Sequence, residues 1–236
     1  MADIQRLIEL DQHWLLSMNG SSSMFIDSLM FVFSSTQVWI PLAVVLLYVL
    51  LRNNSLKGFF LVLLSLALTI ILCDQIASGF CKPFFGRWRP TQDPSLMYMI
   101  DIVNGYRGGK YGFISSHASN TFGVFMFLTL LFKNGRLSFF LFTWAFINGY
   151  SRIYLGVHYP GDVIVGSLLG ILVGLFVYWL YVFLYRKMNF SRQCISDLYT
   201  SGGYFVSDMN FLTMFLLLTY LLIPLIGILI IVTKNF

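Results

Sequence analysis

The sequence predicts an all-α, polytopic membrane bundle of about six transmembrane helices, and three observations carry that prediction. Of 236 residues, 58% are hydrophobic and 11% charged, with a mean hydropathy of +0.78. A soluble domain carries about twice that charged share. Several apolar stretches approach the roughly twenty residues needed to cross a bilayer. Counted along these stretches, the short basic turns fall on one side and the long polar loops on the other, as a multi-pass topology requires. Twenty-four Phe and thirteen Tyr suit lipid-facing surfaces and interfacial belts.

In chain order, Ile4, Leu7, Ile8 and Leu15 recur at helical spacing among charged residues, predicting an interfacial helix within 1–23. The start MADIQRLIELDQHW lacks the basic head and apolar core of a cleavable signal, so no processing is expected. Met24–Phe33 is apolar but short, and Ser34, Ser35 and Thr36 interrupt it before Val38–Leu51. The two pieces read as one kinked element or as a re-entrant one. Gly58–Ala77 is a full span, and a polar loop rich in Gly, Pro, Arg and Lys is expected over 78–116. His117–Phe132 and Leu137–Ile153 are spans joined by the tight turn Lys133–Arg136. Val163–Tyr185 is the clearest span, and a polar connector leads to the last, Phe211–Val232.

Arg52, Lys57, Lys133, Arg136, Arg186, Lys187 and Arg192, seven of the fifteen Lys and Arg, then share one side. The positive-inside rule makes that side cytoplasmic. Lys82, Arg87, Arg89, Arg107, Lys110 and Arg152 fall on the outer side, against the rule, and convergence on an anionic ligand would account for them. The net charge of +5 comes without a long basic block, so no nucleic acid partner is expected; membrane lipids and phosphorylated substrates are. Cys73, Cys81 and Cys194 form no disulfide framework, since Cys73 falls within a span and Cys194 opposite Cys81. Gly166, Gly170 and Gly174 recur every four residues and predict close helix packing along the fifth span.

Three segments carry chemistry. The outer loop opens CKPFFGRWRP, with Lys82, Arg87 and Arg89 held among prolines and aromatics that fix their direction. In FISSHASNTFG, Ser115, Ser116 and His117 stand at a helix start, where free amides and the dipole favour an anion. In SRIYLGVHYPGD, Pro160 opens a helix and Asp162 lies one turn from His158, close enough to fix its tautomer and leave the other nitrogen basic. Arg152 adds a planar fork suited to phosphate. Asp74 lies two turns before Lys82, placed either to pair with an outer cation or to bond its own helix. Asn120 and Asn148 are expected to bridge spans. The segment Tyr106–Gly112, with Arg107 and Lys110, reads either as a headgroup contact or as a solvated loop. Cys81-x5-Arg87 formally fits a cysteine-phosphatase loop, but Pro83, two Phe and the single Gly86 cannot wrap amides around phosphate.

Together these segments resemble the type 2 phosphatidic acid phosphatase (PAP2) superfamily. K-x6-RP matches Lys82–Pro90, and S-R-x5-H-x3-D matches Ser151–Asp162. P-S-G-H is met by Ser115 and His117, with Ile114 and Ser116 in place of Pro and Gly. The resemblance spans about residues 58–187. It implies a PAP2-like core and does not specify the ends; the span pattern itself gives a single integral membrane domain over 1–236: core 24–187, cytoplasmic connector 188–209 and last transmembrane helix 210–236. The resemblance also implies metal-independent hydrolysis of a lipid phosphate through a phosphohistidine on His158. Asp162 would orient that ring and His117 would act as acid and then base. Lys82, Arg89, Arg152, Ser115 and Ser116 would bind the phosphate, with Arg87, Arg107 and Lys110 as candidate headgroup contacts. No cofactor or metal is implied, and the one glutamate, Glu9, makes a poor metal set. The site is expected to face the periplasm from a bacterial inner membrane. A lipid A phosphatase is slightly preferred over an undecaprenyl-diphosphate, phosphatidylglycerophosphate or phosphatidic acid phosphatase, because Arg107 and Lys110 suit a large polyanionic headgroup. A lipid phosphotransferase and a non-catalytic lipid transporter are the alternatives of other classes.

Overall fold

The protein is seen in a computed structural model that describes residues 2–188 and 196–234, without the side chains of 2–4 and 234. Nine α-helices lie among them: α1 (Ala2–Met18), α2 (Met24–Ser34), α3 (Ile40–Asn53), α4 (Leu56–Asp74), α5 (Lys82–Phe85), α6 (Ser116–Phe132), α7 (Gly135–Tyr154), α8 (Pro160–Lys187) and α9 (Val206–Lys234). Thr36–Asn53, Leu56–Phe85, Pro160–Lys187 and Val206–Thr233 are each long and apolar enough to cross a membrane, and the chain is a multi-pass membrane protein. The 17-residue α6 and the 20-residue α7, more polar through Asn148, Ser151 and Arg152, pack among them.

Polar side chains start the helices where the sequence supplies them. Ser55 Oγ accepts from Gly58 N, Ser115 Oγ from Ala118 N and Asn134 Oδ1 from Leu137 N, each satisfying an amide that the first turn leaves free. The basic turn expected at Lys133–Arg136 is seen, with Lys133 in the left-handed region closing α6.

The span expected to end at Ala77 is longer. From α4 the helix continues through a wider π-helical segment, Gln75–Cys81, into α5 and stops at Gly86, whose φ of +58° and N–H to Lys82 O close it. Pro83 is tolerated because it sits at the start of α5. The outer loop therefore begins at Gly86, not Ser78, and Lys82 rides on a helix.

α8 and α6 pack with backbones almost touching. A Cβ on Gly166, Gly170 or Gly174 would meet Ser115 O at 2.6 Å, Ser119 O at 2.3 Å or Gly123 O at 2.7 Å. The glycine stripe is thus the contact face, as its spacing predicts. Two ends separate clearly. At one, Asn53 Nδ2 donates to Asp208 Oδ2 at 2.7 Å, and the Tyr204 ring packs edge-on against Phe132, gathering the turns after α3, after α6 and before α9. At the other lie the ends of α5 and α7, the starts of α6 and α8, and loop 86–115.

α2 begins beside Tyr154, whose hydroxyl donates to Asp27, and ends at Ser34, which accepts from Arg152. Both of its ends therefore lie near the C-terminal end of α7, and a break at Ser35 precedes α3. α1 lies at this same end, with Leu15 buried against Leu96, Ile100, Tyr159 and Val163. Cys73 and Cys81 are free thiols, and Cys194 and Arg192 lie outside the described residues. Asn148 does not bridge spans through its amide, which donates to Trp144 O on its own helix.

Candidate active site

His158 sits in the short link between α7 and α8, 1% exposed. Pro160 opens α8, so Asp162 falls in its first turn and faces back along the chain. Asp162 Oδ2 accepts from Tyr159 N at 3.1 Å and lies 3.4 Å from His158 Nδ1. The other ring nitrogen, Nε2, is 3.2 Å from Arg89 Nη1. A guanidinium only donates, so Nε2 must be the acceptor; the ring proton is then on Nδ1, directed at Asp162. Burial pushes the His158 pKa well below its ordinary value, and the cations Arg89, Arg152 and Lys82 push it the same way. The ring is therefore a neutral base with its lone pair on Nε2.

Arg89 is fixed from several directions. Its backbone N–H donates to Lys110 O, Gly112 N donates to Arg87 O, and Trp88 and Tyr111 form an antiparallel bridge, so loop residues 87–89 and 110–112 hold each other in register. Arg89 Nε donates to Tyr111 O at 3.1 Å and Nη1 to Val157 O at 3.2 Å. Gly108, at φ +67°, passes so close that a Cβ would lie 2.8 Å from Arg89 Nη1. A Cβ on Gly112 would lie 3.0 Å from Asp162 Oδ2 and 3.3 Å from Arg89 Cγ. Gly108 is thus packed against the guanidinium and Gly112 against Asp162 and the Arg89 stem, whereas Gly109 is open, so the YRGGKYG segment is not merely solvated.

Lys82 Nζ donates to Ser116 Oγ at 3.1 Å and to Ser78 Oγ at 2.9 Å, and Ser78 Oγ in turn donates to Asp74 Oδ1 at 3.1 Å. Asp74 therefore reaches Lys82 through a serine relay. Arg152, 3% exposed near the end of α7, donates to Ser34 Oγ and, at 2.9 Å, to Tyr106 Oη. Its Nε is buried without a hydrogen-bond partner. Arg152 and His117 line one pocket with Tyr106, Ser34 and Thr36. Ser115 caps α6, and its N–H donates to Asp162 O at 3.0 Å, tying the α6 start to the α8 start.

Among the described residues, Lys82, Arg89 and Arg152 have no carboxylate within ion-pair distance. Three clustered cations without a direct ion pair, beside two imidazoles and a helix N-terminus, are suited to a multiply charged oxyanion.

The other expected contacts lie apart from this cluster. Arg87 donates to Asp162 Oδ1 at 2.8 Å and Asp11 Oδ2 at 2.7 Å, with its guanidinium 3.9 Å above the Tyr159 ring. It therefore buttresses the site from behind. That commitment also removes the free arginine that a Cys81-x5-Arg87 loop would need. Arg107 is exposed and exchanges hydrogen bonds with Thr91, and exposed Lys110 lies 4.7 Å over the Trp88 ring. Asp11 and Ser34 escape the sequence reading as site residues, and Tyr106 enters it only as the first residue of the 106–112 segment, not as a partner of Arg152. Each belongs to a helix or loop far along the chain from its partner, with no local pattern to mark it.

The PAP2 superfamily model matches residues 58–186 of this chain. Over 191 residues the chain is 40% identical to the lipid A 4′-phosphatase of Bacteroides thetaiotaomicron, covering 80% of this chain and 83% of that protein. It is 33% identical over 180 residues to the lipid A 4′-phosphatase of Porphyromonas gingivalis, covering 76% of each. The crystal structure of Aquifex aeolicus LpxE superposes with a TM-score of 0.54 at 25% identity, covering 70% of this chain and 92% of that one.

Proposed function

The chain belongs to the PAP2 superfamily, and from that premise we propose that it removes a phosphate from lipid A by double displacement through His158. The observation that carries the reading is a carboxylate-held imidazole whose Nε2 meets only the Arg89 guanidinium, with Lys82, Arg89 and Arg152 clustered and, among the described residues, none of them in an ion pair. Phosphoryl transfer asks mainly for positioning and charge neutralisation, which fixed cations and helix-start amides supply.

Nε2 of His158 attacks phosphorus while the bond to the lipid oxygen breaks. His117, beside Arg152 in the same pocket and entering as the imidazolium once the anionic phosphate is bound among the cations, protonates that leaving oxygen. The imidazolium formed at His158 keeps its Nδ1 proton toward Asp162, whose charge stabilises it. Before His158 attacks, Arg89 Nη1 turns from Nε2 to an equatorial oxygen of the entering phosphate, which frees the lone pair, and Lys82, Arg152 and the amides of the Ser115–Ser116 turn join it there. Water, deprotonated by His117, next attacks phosphorus and breaks the P–N bond, releasing inorganic phosphate and restoring both histidines. No metal enters these steps. The 4′-phosphate is preferred because both curated relatives carry that specificity in their names. The site would face the periplasm of a bacterial inner membrane, because Arg52, Lys57, Lys133 and Arg136 gather at the opposite end.

The test is phosphate release in detergent with EDTA present, from lipid A, undecaprenyl diphosphate, phosphatidylglycerophosphate and phosphatidic acid, beside His158→Ala. Release from lipid A that the substitution abolishes is the expected result. Release from another lipid alone would replace the substrate, and transfer of phosphate to a lipid hydroxyl would replace hydrolysis.

A further inference from the structure

Arg87 stands between two carboxylates on separate helices. One arm of its fork reaches Asp162 Oδ1 at 2.8 Å, and the other reaches Asp11 Oδ2 on α1 at 2.7 Å. Asp11 also accepts the Gly161 N–H at 2.8 Å through Oδ1, so one carboxylate grips both Arg87 and the first turn of α8. The grip is close: a Cβ on Gly161 would lie 2.9 Å from Asp11 Oδ2. The Tyr159 ring covers the guanidinium at 3.9 Å, and its hydroxyl donates to Asp93 at 3.0 Å, closing the remaining side. α1 lies outside the 58–186 match to the family, so the family's motifs do not assign Asp11.

We infer that Asp11 is a positioning residue for the nucleophile, acting through Arg87 on Asp162. An arginine fork and a carboxylate favour a two-bond, side-on pairing. Such a pairing between Arg87 and Asp162 would take Oδ2 as well as Oδ1 and draw it away from the ring of His158. Asp11 occupies one arm of the fork, so Arg87 takes Oδ1 alone and Oδ2 remains for Tyr159 N and His158 Nδ1. The inference rests on the role given to His158 above.

The test uses the full chain in detergent, with lipid A as substrate. Asp11→Asn keeps an acceptor oxygen for Gly161 and removes the ion pair. It is expected to lower kcat on the order of tenfold, about 1.4 kcal/mol of barrier, with KM unchanged. Asp11→Glu should restore most of that loss. In an Arg87→Met background, Asp11→Asn should cost nothing further, because the pathway is already cut. A wild-type kcat per folded molecule in Asp11→Asn, with only the melting temperature reduced, would overturn the inference. So would losses that simply add in the double variant. Wild-type protein without turnover, or turnover surviving His158→Ala, would instead refute the phosphatase reading on which it rests.

Discussion

In the proposed reaction His158 serves as a neutral, buried base held at one nitrogen. Its pKa lies well below the ordinary value because burial disfavours the imidazolium and Arg89, Arg152 and Lys82 repel it. The sign follows directly: as pH falls through about 6.5, where an unperturbed imidazole takes up its proton, His158 stays neutral. An imidazole NMR titration of the folded protein should show its midpoint below 6.5, and Arg89→Gln should raise that midpoint. A midpoint at the ordinary value would mean that solvent reaches the ring. Cys81→Ser should leave turnover intact, because Arg87 is engaged by Asp11 and Asp162. Part of the candidate site is legible in the sequence: the spacing of His158 and Asp162 becomes a contact through one helical turn, whereas Arg89 reaches His158 69 positions away and only the motif resemblance groups the two beforehand. The supporting residues are not legible there. Asp11 meets Arg87 76 positions away, and Arg152 meets Ser34 118 positions away, so only tertiary packing reveals them. Arg87 shows the converse: its charge marks it as a ligand contact, and only the structure shows two carboxylates already beside it.

At the scale of elements, the α6–α8 pair carries the site. Ser115–His117 begin one helix and Asp162 lies in the first turn of the other, so their separation is set by the glycine stripe between them. Gly170→Leu would push a side chain into Ser119 O, a backbone atom that cannot move alone. Overpacking of this kind costs about 1–3 kcal/mol. We expect a lower melting temperature together with lost turnover, whereas Gly135→Ala, which meets nothing within 4 Å, should be silent in both. The stripe is readable because its period of four matches a helix face. The continuation of α4 through Cys81 into α5 is not. Polar Ser78 and Lys82 and the breaker Pro83 suggest a loop, but the wider π-helical segment and the place of Pro83 at the start of α5 let the helix run on. That extension is what carries Lys82 to Ser116.

Across the whole molecule, two ends of opposite character emerge from one pattern. The basic turns at 52–57 and 133–136 gather at one end and the anion site at the other, which a count of alternating spans already orders. What the count does not supply is the placement of α1 and α2. Both are too short or too polar to read as spans, yet α1 buries Leu15 at the end that holds the histidines and α2 brings Ser34 to Arg152. The proposed chemistry predicts that EDTA leaves lipid phosphate release unchanged. The most direct measurement is a rapid quench into alkali, which preserves phosphohistidine, after mixing the protein with lipid A labelled at its 4′-phosphate. The account predicts transient label on His158, absent in His158→Ala, and longer-lived in His117→Ala if transfer is driven with a lipid bearing a better leaving group. Label on another residue, or turnover that persists without His158, would contradict it.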